Sequence, residues 1–374
     1  MRALFTLAAI ALTGIALPGR AADNANQWPS YRGNSALTGI SASSLPDKPE
    51  LLWTFKTEAG VKSSAVIGDG KVFIGSDDEH VYALDFADGH KLWDAKVEGA
   101  VESPPLLVGT NTLVVGSGDG SVLALNPSTG ATLWKFATGD KIIGSANLMT
   151  NAQGIQQVLV GSYDFKLYCL NLTNGAPAWT YESGNFINGT PAISQGKTVF
   201  GGCDTILHIV STADGKLLQQ CKAGSPIAAS AALTDGRAYF GHYDNEFLCV
   251  NLADGAIVWR YHDRDFPYFS APAITTNRVI FGGDDKRLHC LSRADGKTLW
   301  NFSARGKIQS APVVAGDKIV FGSDDHRVYI VTIKDGTELW SYETGRSVSS
   351  SPAVASGKIV IGSEDHSVYC FGKK

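Results

Sequence analysis

The stretch Lys318-Ile-Val-Phe-Gly-Ser-Asp-Asp-His-Arg-Val-Tyr-Ile-Val-Thr-Ile-Lys-Asp-Gly-Thr-Glu-Leu-Trp-Ser-Tyr342 decides the architecture. It opens with an apolar, β-branched run that ends at Gly322-Ser323. A polar turn follows at Asp324-Asp325-His326, and Val328 to Ile333 is a second β-branched and aromatic run. Lys334-Asp335-Gly336 is a hairpin turn, where Gly takes a positive φ without a Cβ clash. Leu339-Trp340-Ser341-Tyr342 alternates large and small side chains, and Ser350-Ser351-Pro352-Ala353-Val354 opens another unit. Short runs between turns, with no helical period, predict four strands per unit.

The unit recurs. A Gly-x-x-Asp turn starts at Gly75, Gly116, Gly161, Gly201, Gly241, Gly282, Gly322 and Gly362, at intervals of 40 to 45 residues. A period near 40 belongs to propeller blades or to paired helices, and the strand composition selects the blades. The hairpin Gly recurs at Gly89, Gly130, Gly175, Gly215, Gly255, Gly296 and Gly336. Four residues after these stand Trp93, Trp134, Trp179, Trp259, Trp300 and Trp340, while the fourth unit has Gln219. An outer-strand Trp can bury its ring between blades. The fourth unit, with Cys221 where others have Phe302 or Tyr342, is therefore expected to pack differently. The eighth unit stops at Phe371-Gly-Lys-Lys374, and Leu51-Leu52-Trp53-Thr54-Phe55 supplies its missing strand from the start of the repeats. The expectation is an all-β, eight-bladed propeller of four-stranded blades, closed because terminal strands share the last blade.

Ala83-Leu84-Asp85 through Gly89 and Trp93, and Ala124-Leu125-Asn126 through Gly130 and Trp134, carry the pattern A-x-D-x-x-x-G-x-x-x-W most clearly. This resembles the pyrroloquinoline-quinone-repeat propellers, over about residues 50 to 374. The leader Gln27-Trp28-Pro29-Ser30-Tyr31-Arg32-Gly33 is similar to the W-P-x-x-R-G opening of exported quinoprotein-like propellers. The resemblance implies one of two activities. Quinoprotein dehydrogenases of this fold hold pyrroloquinoline quinone and calcium on the axis, often beside two adjacent cysteines. BamB-type scaffolds of outer-membrane assembly bind protein partners instead. This chain has no adjacent cysteine pair and no inserted segment for a calcium cluster. It also lacks an early cysteine that could carry a lipid, since Cys169 is the first. The favoured expectation is a non-catalytic scaffold. A quinone-binding oxidoreductase and a carbohydrate-binding propeller stand as alternatives.

Residues 1–21 read as a signal peptide: Arg2, an apolar run from Ala3 to Leu17, then Gly19 and Ala21 as small residues before cleavage. Residues 22–50 read as an extended arm, and 51–374 as one propeller. The expected place is the periplasm or the exterior, as a monomer without a lipid anchor or a later membrane span. A formal net charge of -4, with no run of five basic residues, excludes a phosphate-neutralising face for nucleic acid. Cys169, Cys249, Cys290 and Cys370 share one repeat position and read as small buried hydrophobes, while Cys203 and Cys221 could pair in an oxidising compartment.

No catalytic set stands out. The repeated Asp residues have a sufficient role in turns, where Asp bonds the backbone two residues on. Function is sought where units differ. One position varies around the expected channel mouth: Lys62, Glu102, Ile143, Asn188, Ala228, Phe269, Gln309 and Ser349. Its neighbours, such as Ser63, Gly144, Ala229 and Ser350, stay small, as crowding at an axis requires. A second candidate is the loop with Tyr261, His262, Arg264, Asp265, Phe266 and Tyr268, where Trp259 to Pro272 spans one residue more than Trp300 to Pro312. Aromatics beside Arg are the composition of binding hot spots.

Overall fold

The first strands of successive units touch around most of the circle, and the last, Ala353–Ala355, touches the first, Val66–Gly68. That contact closes a ring of eight antiparallel sheets in the computed structural model, which describes residues 24–374. The signal-peptide reading falls outside the described residues. Blades 1 to 7 span 66–96, 106–137, 147–182, 192–222, 232–261, 273–303 and 313–343. Blade 8 joins 353–372 to Glu50–Lys56, with Leu51 opposite Phe371. The eight-bladed closure by shared terminal strands is as the repeats predict.

The signature Gly and Trp meet across blades, not within one. A Cβ built on Gly89, Gly130, Gly175, Gly215, Gly296 or Gly336 would sit 2.5–2.7 Å from the Trp ring of the preceding blade. Only hydrogen fits there, and each of these glycines also has a positive φ. The indole N–H then donates to a carbonyl of the same neighbour, as Trp134 does to Leu172 at 2.7 Å and Trp93 to Pro127 at 3.0 Å. Blade 4 lacks this plug, and Gly255 faces the Gln220 carbonyl instead.

The turn aspartates form a second seam. Asp78, Asp164, Asp325 and Asp365 accept the hydroxyls of Tyr82, Tyr168, Tyr329 and Tyr369 at 2.5–2.8 Å. Each also accepts a backbone N–H from the loop leaving the preceding blade, from Glu58, Gly139, Arg305 or Gly345. One carboxylate thus pins turn, strand and neighbour. Blade 5 has Leu248 where the Tyr would be, and its Asp244 is exposed. Cys221 is buried at that seam, whereas Cys203 sits in a mouth turn, so the two do not pair.

The axis is a belt of hydroxyls. Ser63, Ser103, Ser270, Ser310 and Ser350 are buried, and each donates to the carbonyl at the same position of the next blade at 2.8–3.2 Å. The arm closes one end of this channel. Starting at Ala25, its carbonyls or backbone meet the inner strands in turn. Trp28 bridges Ile67, and Pro29 accepts Leu107 N–H. Ser35 accepts both Asn147 Nδ2 and Ile193 N–H, and Ala36 accepts Leu233 N–H. Thr38 takes Ile274 and Gly39 takes Val314, each at 2.9 Å. Ile40–Ser41 pairs in parallel with the blade 7 inner strand, and Ser41 Oγ reaches Val354 O in blade 8. Trp28, Arg32 and Leu37 are buried beneath this coil. Arg32 donates to the carbonyls of Ala311 and Pro312 at 2.9 and 2.5 Å. Burial pulls its guanidinium down to about 10, still charged at neutral pH.

Candidate binding face at the open mouth

The varying positions lie at the other end of the inner strands, five residues before the arm contact in blade 1, or roughly 16 Å along the channel. The turn residues two after each conserved Gly surround them, because each turn N–H bonds the loop entering its own blade: Asp77 to Gly60, Tyr163 to Lys141, Asp324 to Lys307 and Glu364 to Ser347. Two concentric rings result, and they are unequal around the circle. Blades 6, 7, 8 and 1 contribute Asp284, Asp324, Glu364 and Asp77. Blades 3 and 5 contribute Tyr163 and Tyr243, with Cys203 between.

The carboxylate arc organises most of the predicted ring. Lys62 bridges Asp77 and Glu102, 3.0 Å from each. Gln309 Nε2 donates to Asp284 at 2.9 Å, beside Lys307 at 2.8 Å, and Ser349 Oγ donates to Glu364 at 2.9 Å. Burial, then the neighbouring Glu364 and Asp284 charges, raise the Asp324 pKa. Burial also raises Asp77, and Glu102 and Glu364 add to it against the opposing effect of Lys62. This arc carries negative charge that its two lysines do not balance.

The other arc is aromatic. Phe186 stacks on Tyr163 at 4.8 Å and meets Phe165 edge-on at 5.2 Å. Phe269 packs on Tyr243 at 4.5 Å, and Asn188 donates to Cys203 Sγ. Phe165, Phe186, Tyr243 and Phe266 are exposed large side chains.

The longer loop divides its side chains. Tyr261 and Tyr268 point inward and are buried, so they offer no surface to a partner. His262, Arg264, Asp265 and Phe266 face outward. His262 and Asp265 help to wall a pocket of about 590 Å³ with His242, Asp244, Glu246 and Arg260. His242 replaces the Ser or Gly that follows the turn Gly in every other blade. That comparison of eight turns was the available signal for it, and for the acidic arc. His242 Nδ1 accepts Asp244 N–H at 3.1 Å, so the neutral ring carries its proton on Nε2, 3.4 Å from Glu246. Burial lowers its pKa and keeps it neutral. Arg260 holds the same Glu246 at 2.5 Å. The pocket thus presents fixed donors and acceptors beside the aromatic arc, at a blade with Leu248 in place of the latch Tyr.

The family model described as outer membrane protein assembly factor BamB matches residues 44–261 and 267–372. The five residues it passes over, 262–266, are the outward part of the longer loop. BamB from Moraxella catarrhalis is similar in structure, with a TM-score of 0.73 and 17% identity over 87% of this chain and 99% of that one. The quinohemoprotein alcohol dehydrogenase of Comamonas testosteroni has a TM-score of 0.78 and 14% identity, over 93% of this chain and 81% of that one. The computationally designed Ika8 protein has a TM-score of 0.77 and 17% identity, over 86% of this chain and 99% of that one. At these identities the likeness is one of fold. No curated protein sequence matches the chain.

Proposed function

The chain belongs to the BamB family of pyrroloquinoline-quinone-like repeat propellers, and on that premise we propose that it is an exported, non-catalytic scaffold that binds a cell-envelope protein at its open mouth. The observation that carries the reading is the divided mouth, with four carboxylates on consecutive blades facing an arc of exposed aromatics. Exposed aromatics beside unbalanced charge are a recognition surface for a segment in which Lys or Arg stands next to apolar residues. The residues at the axis favour this reading over a quinone seat. Among the repeat tryptophans, Trp53, Trp93, Trp134, Trp179, Trp259 and Trp300 donate at the outer seams, which leaves none of the six to stack on the axis. Hydroxyl-to-carbonyl bonds span much of the axial belt, and the arm covers the far end.

Two measurements test the proposal. Envelope extract passed over the immobilised protein should yield a specific partner. An Arg264→Ala, Phe266→Ala variant should recover at least several-fold less of it, and equal recovery would remove the loop from the interface. Separately, pyrroloquinoline quinone with calcium should leave no stoichiometric quinone absorbance on the protein. A bound, saturable quinone would replace the scaffold reading with the oxidoreductase one.

A further inference from the structure

Two seams of the ring carry the same buried relay, and only one of them is extended. At blades 3 and 4, Tyr181 OH meets His208 Nδ1 at 2.9 Å, and His208 Nε2 meets Asp204 at 2.9 Å. At blades 5 and 6, Tyr261 OH meets His289 Nδ1 at 3.1 Å, and His289 Nε2 meets the two Asp285 oxygens at 3.2 and 3.1 Å. Around the first relay the repeat keeps its ordinary residues, Ser183 and Ile187. Around the second it does not. Asp263 replaces the Ser or Thr found at Thr57, Thr138, Ser183 and Thr344. Tyr268 replaces an aliphatic residue that is Val or Ile in all seven other units, from Val61 and Val101 to Ile308 and Val348.

These two substitutions bring further ligand atoms to the relay. Single atoms of Asp263, Asp285 and His289 lie within 4.8 Å of one another. The side chains of Asp285 and His289 have no exposure, and Asp263 is reachable from solvent. Tyr268 lies edge-on to His289 with centroids 5.3 Å apart, fully buried, and its hydroxyl makes no hydrogen bond of good geometry. Asp285 Oδ2 likewise makes no hydrogen bond of good geometry. A buried phenol without a well-aligned partner, where an aliphatic chain packs in every other unit, is unfavourable unless something is bound there.

We propose that Asp263, Asp285, His289 and Tyr268 form a site for one divalent transition-metal ion of the zinc type, at the seam between blades 5 and 6. One imidazole and two carboxylates, with a phenol beside them, suit a small four-coordinate ion better than calcium, which wants six or more oxygens. Tyr261 on His289 Nδ1 fixes the ring so that Nε2 faces the site, and Arg287, 2.9 Å from Asp263, orients that carboxylate from outside. Both Asp263 and Tyr268 lie on the longer loop, so the ion would tie its two ends to blade 6 while His262, Asp265 and Phe266 stay outward.

The test is zinc binding by the chelator-treated full protein, read by equilibrium dialysis and native mass spectrometry. One equivalent of Zn²⁺ should bind, undisturbed by a 100-fold excess of Mg²⁺ or Ca²⁺. The Asp263→Thr, Tyr268→Ile variant restores the residues of other units and should fold. It should bind zinc weaker by about 100-fold or more. Asp204→Asn at the unextended relay should leave binding intact, as should His90→Ala in the exposed cluster of Asp85, Asp88 and His90. No uptake by the unaltered protein overturns the proposal. So does an unchanged affinity in the double variant, loss on either control substitution, or displacement by calcium.

Discussion

The two mouths of the channel are finished by opposite means, although the same eight inner strands make both. At the covered end, one segment of chain meets every blade, largely through backbone groups that any blade can offer. At the open end, side chains do the work, and they differ blade by blade, carboxylate on one side and aromatic on the other. Backbone contacts ask for uniform strands, so the covered mouth tolerates repetition and gains stability from it. Side-chain contacts allow each blade to differ, so the open mouth is where recognition can be written without disturbing the ring.

That contrast can be broken at either end. Arg32→Ala removes a buried charged donor from the Ala311 and Pro312 carbonyls, and denaturant unfolding should show a loss of about 3 kcal/mol. Trp134→Ala, at an outer seam, should lose a similar ~3–5 kcal/mol from the emptied socket on Gly175. If Asp324→Asn at the open mouth costs as much, the contrast fails. It should instead stabilise the fold slightly at pH 7, since burial and the neighbouring carboxylates raise its pKa in the fold.

The sign of the pH effect follows from that shift. A carboxyl whose folded pKa lies above its unfolded value binds its proton more readily when folded. Asp77 and Asp324 therefore add stability as pH falls through their raised pKa values toward 3.8, and subtract it above. The unaltered protein should lose less stability on mild acidification than the Asp77→Asn, Asp324→Asn variant, measured by melting temperature between pH 6 and 4. Gln219→Trp sharpens the comparison from the outer seam. Supplying blade 4 with the plug its repeat lacks should add about 1 kcal/mol. The outward loop residues should matter least to folding: Arg264→Ala with Phe266→Ala should change stability by no more than ~0.5 kcal/mol.

The ring was legible because its signals are local and recur at fixed offsets: a Gly turn eight times, a hairpin seven times and a Trp in all but one unit. The partner of each Trp was not legible, because Gly and Trp of one unit touch different neighbours. The varying positions around the mouth could be named from their offsets, but not the carboxylates that hold them. Asp77, Asp284, Asp324 and Glu364 belong to turns whose shared Gly and final Asp make them look uniform in sequence. The loop stood out by its extra residue, yet which of its aromatics face solvent depends on blade 6. Phe281 and His289 of that blade surround Tyr261 and Tyr268 and draw both inward.

The order of events in folding follows from where the ends of the propeller meet. Glu50–Lys56 pairs only with Ser367–Gly372, so the first strand of the ring is paired only when the last one is in place. Contacts so distant in sequence form slowly, because a long loop must close before they reward it. The arm waits longer still. Its seat spans all eight inner strands and exists only once the ring is shut. The segment that leads the described chain is thus the last to be placed, and it locks the closure it depends on.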